Sequence, residues 1–226
     1  MMAESVLLLA VFMKKIKVSI VGVGNCASAI VQGVHYYKDR EADDSIGLTA
    51  YNLGGFEPKD IEFVSAFDVD KEKVGEDLSK AIFKAPNNTN KITDVPKIEV
   101  KVQKGPVLDG IGKYVTQTVK IDDEQPKNIA RSIQDSGAEI VLSYLPVGST
   151  AATKFYAEQS LRAGAAFINA MPVFIASDPY WQKKFTDAKL PVAGDDVMSQ
   201  LGATVLHKTL VKLCVDRGVK VDETYQ

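Results

Sequence analysis

The feature that most constrains the fold is an apolar strand that runs through a glycine turn into a helix. Residues 16–21 are β-branched and apolar enough to form a buried parallel strand. Gly22 and Gly24 follow, and small residues from Asn25 to Ala27 open the predicted helix. Such a turn leaves N–H groups unpaired at the helix start, where they carry about half a positive charge. The stretch favours a pyrophosphate site for a dinucleotide, although a tight turn that binds nothing has the same pattern.

An acidic residue after the second predicted strand supports the same interpretation. The strand at 61–67 ends at Asp68, and an acid in this place holds a ribose hydroxyl in dinucleotide-binding sheets. Asp68 lies 44 residues after Gly24 (68 − 24), against about 20 in the usual spacing, because a polar insertion separates them. Asp68 could instead cap a helix predicted from about Lys71, but Asp70 is better placed for that cap.

Strands and helices alternate along the chain. Further strands are predicted at 98–102, 139–142, 165–169 and 191–193, and helices at 25–37, 126–136, 150–162, 177–188 and 200–216, before an extended segment at 219–226. This order predicts a doubly wound, mostly parallel α/β sheet with helices on both faces. Ser149 is the predicted N-cap of the helix that ends before Gly164.

Polar residues that follow the strands are expected along one rim, because ligands bind at the carboxyl ends of parallel strands. They are Gly22, Gly24, Asn25, Asp68, Ser143, Tyr144, Asn169, Asp195 and Asp196. A polar loop over 84–97 is either a surface connection or a flap over the ligand.

Charge and cysteine content exclude several function classes. The net charge of −2 gives no basic surface for nucleic acid or for an anionic membrane. Cys26 and Cys214 are far apart, which suits free thiols in a reducing compartment and predicts a cytoplasmic protein. Cys26 could be reactive, but a small buried residue is the favoured interpretation. No Cys/His cluster has zinc spacing, and dependence on a metal stays undetermined.

The first twelve residues contain an apolar run at 6–12 that is too short to span a bilayer. The run lacks a basic region before it and a clear cleavage site after it, which disfavours a signal peptide. Residues 1–12 are therefore expected to be a disordered tail or an artefact of an upstream start, and residues 13–226 one folded domain.

Seven segments occur in a fixed order from about Lys15 to the end of the chain. They read VGVGNCAS at 21–28, AFDVD at 66–70, NNT at 87–89, GIGKY at 110–114, SYLPVGS at 143–149, AMPVFIA at 170–176 and GDD at 194–196. Together they resemble the myo-inositol-1-phosphate synthase family, in its bacterial and archaeal branch. The resemblance implies an NAD-binding Rossmann domain and the isomerisation of glucose 6-phosphate to inositol phosphate, with a hydride that passes to NAD and returns.

The resemblance also implies roles for individual residues. The pyrophosphate would lie against Gly22, Gly24, Asn25, Cys26 and Ala27, the adenosine ribose against Asp68, and the second ribose and nicotinamide along Ser143, Tyr144, Leu145, Pro146, Asn169, Met171 and Pro172. The carboxylates of Asp195 and Asp196 would lie by the nicotinamide, as catalytic groups that favour the cationic ring or bind a cation. From the residues alone, this pair could equally be an N-terminal helix cap.

The chain departs from the family in two respects. Met198 stands where members commonly have a lysine, and the sequence stops at Gln226, near the expected start of a second domain with the sugar-binding lysines. The expectation is therefore an incomplete Rossmann sheet of a truncated or split synthase, with a homo-oligomer or a C-terminal partner chain as its assembly. The alternatives are a non-catalytic NAD-binding module and, less favoured, an ordinary NAD(P) dehydrogenase.

Overall fold

The computed structural model describes residues 15–40, 46–112, 115–198 and 202–225. The chain divides into two compact units, residues 1–195 and 196–226, and we describe each by itself. The predicted tail at 1–12 and the predicted start of the last helix at 200 lie outside the described residues.

The first unit is a parallel sheet with helices between its strands. Its strands are β1 (Ile16–Val21), β2 (Ile61–Asp68), β3 (Val102–Lys104), β4 (Ile140–Ser143), β5 (Ala166–Asn169) and β6 (Val192–Ala193), and its helices are α1 (Asn25–Tyr37), α2 (Leu78–Ala81), α3 (Ile129–Ser136), α4 (Thr150–Ala163) and α5 (Pro179–Asp187). Short 3-10 helices occupy Pro58–Asp60 and Val115–Gln117. The strand order is β3-β2-β1-β4-β5-β6, with all pairs parallel. This is the order of the doubly wound dinucleotide-binding fold, and the predicted fold class is confirmed.

The sheet is covered by helices on both faces, which fits the mainly apolar sequences of its central strands β1 and β4. One face packs on α1 and α2 through a core that includes Ile20, Ala27, Val31, Leu78 and Ile82. The other face packs on α3, α4 and α5 through a core that includes Phe67, Ile133, Ala157, Phe167 and Phe185. The two cores hold the carboxyl ends of β1, β2 and β4 side by side, because Val21 pairs with Phe67 on one side and with Ser143 on the other.

The helix predicted from Lys71 is wrong, because residues 71–75 form turns and α2 has only four residues. Gly75 has φ +84°, a left-handed conformation that ends any helix. The strand predicted at 98–102 is displaced to 102–104, since Asp77 takes the N–H groups of Ile98 and Glu99 at 3.2 and 2.8 Å. Those N–H groups are therefore not available to the sheet.

The ends of α3 and α4 follow the predictions in part. Both helices end at a left-handed glycine, Gly137 and Gly164, as predicted. α3 begins at Ile129 rather than 126, because the side chain of Asn128 caps it. The side chain of Ser149 occupies the N-cap position of α4 without making the predicted cap bond.

The second unit contains a π-helix (Ala203–His207) that continues into α6 (Lys208–Asp216). The predicted extended segment after Gly218 forms no strand over residues 219–225. Within the described ranges of the chain, no helix has the length and apolar content that a membrane crossing requires.

Candidate functional site

The glycine turn lies between the ends of β2 and β4. Gly22 has φ +84°, and a Cβ at this position would lie 2.6 Å from the carbonyl oxygen of Tyr144. The Gly22 N–H donates to the carbonyl of Phe67 at 2.9 Å, and the Tyr144 N–H donates to Val21 at 2.7 Å. Only glycine fits the position of Gly22, and the turn is fixed where the strand order of the sheet changes direction.

The start of α1 is open toward this turn. Gly24 is the N-cap residue; no side chain caps the helix, and its first turn holds no acid. A Cβ at Gly24 would have no heavy atom within 4 Å, so the space beside this glycine is free. Ala27 is fully buried against the sheet, as its place in the glycine pattern requires. Because Gly24 has no side chain, the space beside the first N–H groups of α1 is open. Such a helix start suits an anion.

Cys26 lies on the outer side of the same helical turn. The favoured interpretation of a small buried residue is wrong, because Cys26 is exposed while Ala27 and Ser28 turn toward the sheet. Burial and, after it, the neighbouring Cys26 raise the pKa of the Tyr144 hydroxyl. Tyr144 is therefore a neutral, half-buried phenol beside the helix start.

Asp68 faces the glycine turn from the end of β2. Its Oδ2 accepts the N–H of Val23 at 2.7 Å, and its Oδ1 accepts the N–H groups of Val69 and Asp70 at 2.7 and 3.0 Å. Asp70 takes the N–H of Glu72, as a turn residue and not as a helix cap. The structure therefore brings Asp68 to the glycine turn despite their wide separation in sequence.

The loop after α2 is bonded to the start of α1. Asn25 Oδ1 accepts from the N–H of Asn88, the N–H of Thr89 and the Thr89 hydroxyl, and Asn25 Nδ2 donates to Asn88 Oδ1 at 2.8 Å. The side chain of Asn25 is thus committed to this loop. Its backbone N–H remains part of the open helix end.

Ser143 closes the end of β4, next to β1. Its hydroxyl oxygen is buried and has no hydrogen-bond partner among the described residues. A buried polar atom without a partner costs free energy that a ligand could recover. Leu145 is half-buried and Pro146 is exposed, so the chain rises to the surface directly after the strand.

Asn169 and Asp195 form one hydrogen-bonded unit at the ends of β5 and β6. Asn169 is buried and donates to Asp195 Oδ1 at 2.8 Å and to the carbonyls of Met171 and Val173. Met171 is half-buried and Pro172 is exposed on the rim. The amide of Asn169 is therefore already committed to hydrogen bonds that hold Met171, Val173 and Asp195 in place.

The carboxylate of Asp195 is fully engaged. Its oxygens also accept the N–H groups of Ile175, Ala176 and Ser177 at 3.0, 2.9 and 3.0 Å. Burial alone would raise the pKa of Asp195, but the bonds from Asn169 and these N–H groups outweigh it, and the pKa lies below its ordinary value. Asp195 holds the loop before α5 and does not cap the following helix.

Asp196 belongs to the second unit and differs from Asp195 in every respect. It is exposed, has φ +72°, and its Oδ1 accepts the N–H of Val197. Met198 is exposed in the same segment. No group of three His, Cys, Asp or Glu side chains that could hold a metal occurs in the part of the chain that the structure describes.

An apolar groove of about 540 Å³ lies where β1 and β2 begin, at the opposite ends of the strands. Its lining includes Ile16, Val34, Tyr37, Leu53 and Ile61. Among the described residues that line it, no side chain is cationic. We therefore assign the candidate site to the carboxyl ends of the strands.

Sequence reasoning missed two residues that shape the site. Asn87 bonds the glycine turn, and Asp109 bonds the start of α4. Asn87 lies in the loop at 84–97 that was predicted as a surface connection or a flap, and Asp109 lies beside Gly110, so the only local signal was a polar side chain in a loop.

Comparison with known proteins supports the same fold. No protein-family model matches the sequence. The chain is 53% identical to the inositol-3-phosphate synthase of Mycolicibacterium smegmatis over 213 residues, which are 94% of this chain and 59% of that protein. The crystal structure of Ari2 is similar with a TM-score of 0.79 and 30% identity over 91% of this chain and 61% of that one. A myo-inositol-1-phosphate synthase-related protein from Thermotoga maritima shares the fold, with a TM-score of 0.66 and 22% identity over 90% and 60% of the two chains.

Proposed function

Because this chain belongs to the inositol-3-phosphate synthase family, with about half of the matched residues identical, we propose that it binds NAD for the conversion of glucose 6-phosphate to inositol phosphate. The chain spans about three fifths of the length of its curated relatives. The substrate, the isomerase activity and any partner chain or homo-oligomer are therefore part of the proposal. A cytoplasmic location is proposed on the same basis.

The observation that carries the proposal is the glycine turn at the change in strand order. A position that only Gly22 can occupy, an open helix end at Gly24 and a carboxylate at Asp68 meet there. Each supplies what one part of a dinucleotide needs: close approach, N–H donors for the pyrophosphate and an acceptor for ribose hydroxyls. The chemistry of these residues therefore supports a dinucleotide as the ligand.

The other predicted contacts extend along the same edge of the sheet. We propose that Gly22, Gly24, Asn25, Cys26 and Ala27 hold the pyrophosphate through the main chain, and that Ser143, Tyr144, Leu145, Pro146, Asn169, Met171 and Pro172 line the way to the nicotinamide. The unpartnered hydroxyl of Ser143 supports this path. NAD, when bound, would take up a hydride from the sugar and return it.

Asp195 and Asp196 stay the proposed catalytic carboxylates. The four hydrogen bonds of Asp195 support the proposal that this carboxylate also positions the loop at 175–177, whose N–H groups it accepts. The low pKa of Asp195 keeps it an anion at neutral pH. An anion by the nicotinamide favours the cationic form of the ring.

We expect Asp68→Ala to weaken NAD binding by about tenfold or more, because hydrogen bonds to a charged group contribute about 1.5–3 kcal/mol. The preference for NAD over NADP should also fall, since a carboxylate repels a 2′-phosphate. Isothermal titration calorimetry of both cofactors on the wild type and the variant measures both effects.

The matched control is Asp123→Ala, because Asp123 is almost fully exposed in a surface ion pair with Lys71. This control should bind NAD like the wild type. A wild-type chain without NAD affinity would refute the proposed function. Equal NAD affinity of Asp68→Ala and the wild type would refute the assignment of Asp68 to the ribose.

A further inference from the structure

We propose that Asn87 is a positioning residue for the glycine turn, anchored by the buried pair of Lys73 and Asp70. The side chain of Asn87 would hold the turn in the shape that binds a pyrophosphate before any ligand arrives. This inference deepens the proposed function and rests on it for the identity of the ligand.

The peptide groups of Val23 are held from both sides. The N–H of Val23 donates to Asp68 Oδ2 at 2.7 Å, and its carbonyl accepts from Asn87 Nδ2 at 3.0 Å. Asn87 Nδ2 also donates to the carbonyl of Ile82 at 3.0 Å. The main chain immediately before Gly24 therefore has fixed donors and acceptors on each side.

The orientation of the Asn87 amide is itself determined by charge. Its Oδ1 accepts from Lys73 Nζ at 3.0 Å, while its Nδ2 faces two carbonyl oxygens. The reverse orientation would place an oxygen against two carbonyls and an NH₂ group against an ammonium. The network therefore permits a single orientation of this side chain.

Lys73 and Asp70 form a buried ion pair next to the Asn87 amide. Lys73 is 4% and Asp70 2% exposed, and Lys73 Nζ lies 3.8 Å from Asp70 Oδ2. A buried charge is expensive unless it is paired, so this ammonium is confined to its two partners, Asp70 and Asn87. Burial, rather than the nearby charges, is the main reason that the pKa of Asp70 is raised.

The same loop fixes the other end of the turn. Asn88 and Thr89 bond the side chain of Asn25, the first residue of α1. Residues 87–89 thus hold Val23 on one side of Gly24 and Asn25 on the other, and they leave Gly24 itself open. An arrangement that is fixed before binding lowers the ordering cost of the complex.

The test compares Asn87→Ala with Asn90→Ala, a matched control whose exposed side chain makes no bond shown by the structure. We expect Asn87→Ala to bind ADP about fivefold or more weakly, because the turn loses the bond to its Val23 carbonyl and the loop loses the bond to the Ile82 carbonyl. Adenosine, which has no phosphates, should bind both variants and the wild type alike. Isothermal titration calorimetry with both ligands separates a loss of positioning from general destabilisation, because general destabilisation would lower the affinities for ADP and adenosine together.

Amide hydrogen exchange in the ligand-free chain gives an independent result. The amides of residues 23–25 should exchange faster in Asn87→Ala and unchanged in Asn90→Ala, with sheet amides unaffected in both. Asn87→Ser, which retains a hydroxyl, should give a smaller change and serves if Asn87→Ala does not fold. If the amides of residues 23–25 exchange at the same rate in both Asn87 variants as in the wild type, the inference is overturned. This outcome does not depend on whether the wild type binds ADP. Wild-type ADP affinity in these variants, where the wild type does bind ADP, would also overturn it.

Discussion

Carboxylates in the cleft are distinguished by the N–H groups that they accept. Asp68 accepts the N–H groups of Val23, Val69 and Asp70, whereas Asp195 accepts three N–H groups of the loop at 175–177 and the amide of Asn169. An acid beside strand ends has the same local sequence pattern in either case. Which groups it bonds, and therefore whether it faces a ligand or holds a loop, depends on the chain segments packed next to it.

We expect Asp195→Asn to lower stability by about 2 kcal/mol at pH 7, or roughly 4–8 °C in Tm, because charge-assisted bonds are lost. The lowered pKa of Asp195 means that its stabilisation is present above the unfolded pKa, about 3.9, and is lost as the pH falls through the folded pKa. The difference between the two proteins should therefore shrink below about pH 4.

Thermal unfolding from pH 3 to pH 7 measures this dependence. Asp187→Asn is the control, because Asp187 is an exposed partner of Lys183 on α5 and should change Tm little. A difference between Asp195→Asn and the wild type that stays constant with pH would contradict the role given to the ionised carboxylate.

The helix α4 shows how an element can be capped from a distant loop. Asp109 accepts the N–H groups of Ala151 and Ala152 at 2.6 and 2.9 Å. Gly110 has φ +80°, and a Cβ there would collide with the side chain of Ser149. The loop is therefore pressed onto the helix start, and an acid satisfies the positive end of the helix in place of the adjacent serine.

We expect Asp109→Ala to lower the free energy of unfolding by about 1–2 kcal/mol, since it removes two bonds to N–H groups at the positive end of α4. Ser149→Ala should cost less than about 0.5 kcal/mol, because the buried Ser149 hydroxyl has no hydrogen-bond partner in the described part of the chain. Urea denaturation of both variants decides between the two caps. A larger loss in Ser149→Ala would restore the cap predicted from the sequence.

The six-stranded unit contains Gly22, Gly24 and Asp68, the residues on which the cofactor proposal rests. Both faces of its sheet are covered by helices with their own cores. The resemblance to the family assigns the substrate-facing lysines to a second domain, and the chain spans 59% of the Mycolicibacterium smegmatis relative. Binding of NAD and conversion of the sugar are therefore tested by separate measurements.

We expect incubation with NAD and glucose 6-phosphate to accumulate no NADH, because the proposed reaction returns to the sugar the hydride that it removes. Product analysis and absorbance at the NADH band measure inositol phosphate and NADH separately. Accumulating NADH would contradict the isomerase proposal and favour the dehydrogenase interpretation.

Local sequence patterns were sufficient to predict the first strand, the glycine turn, the first helix and the parallel sheet. The β-branched run at 16–21 and the glycines after it predicted β1, the turn and α1, because hydrophobic period and backbone freedom are properties of neighbouring residues. The alternation of strands and helices predicted the parallel sheet. Seven ordered segments predicted the family, which the identity to curated relatives confirms.

Tertiary structure decided which polar groups meet. The bonds from Asp68 to Val23, Asn87 to Val23, Asp109 to Ala151 and Asp195 to Ile175 join residues that are 45, 64, 42 and 20 positions apart. Periodicity reports which face of an element is apolar, but it carries no information on which distant donor will lie 3 Å from a given oxygen. The strand order and the packing of the helices set those distances, and they determine which loop or helix start each of these side chains holds.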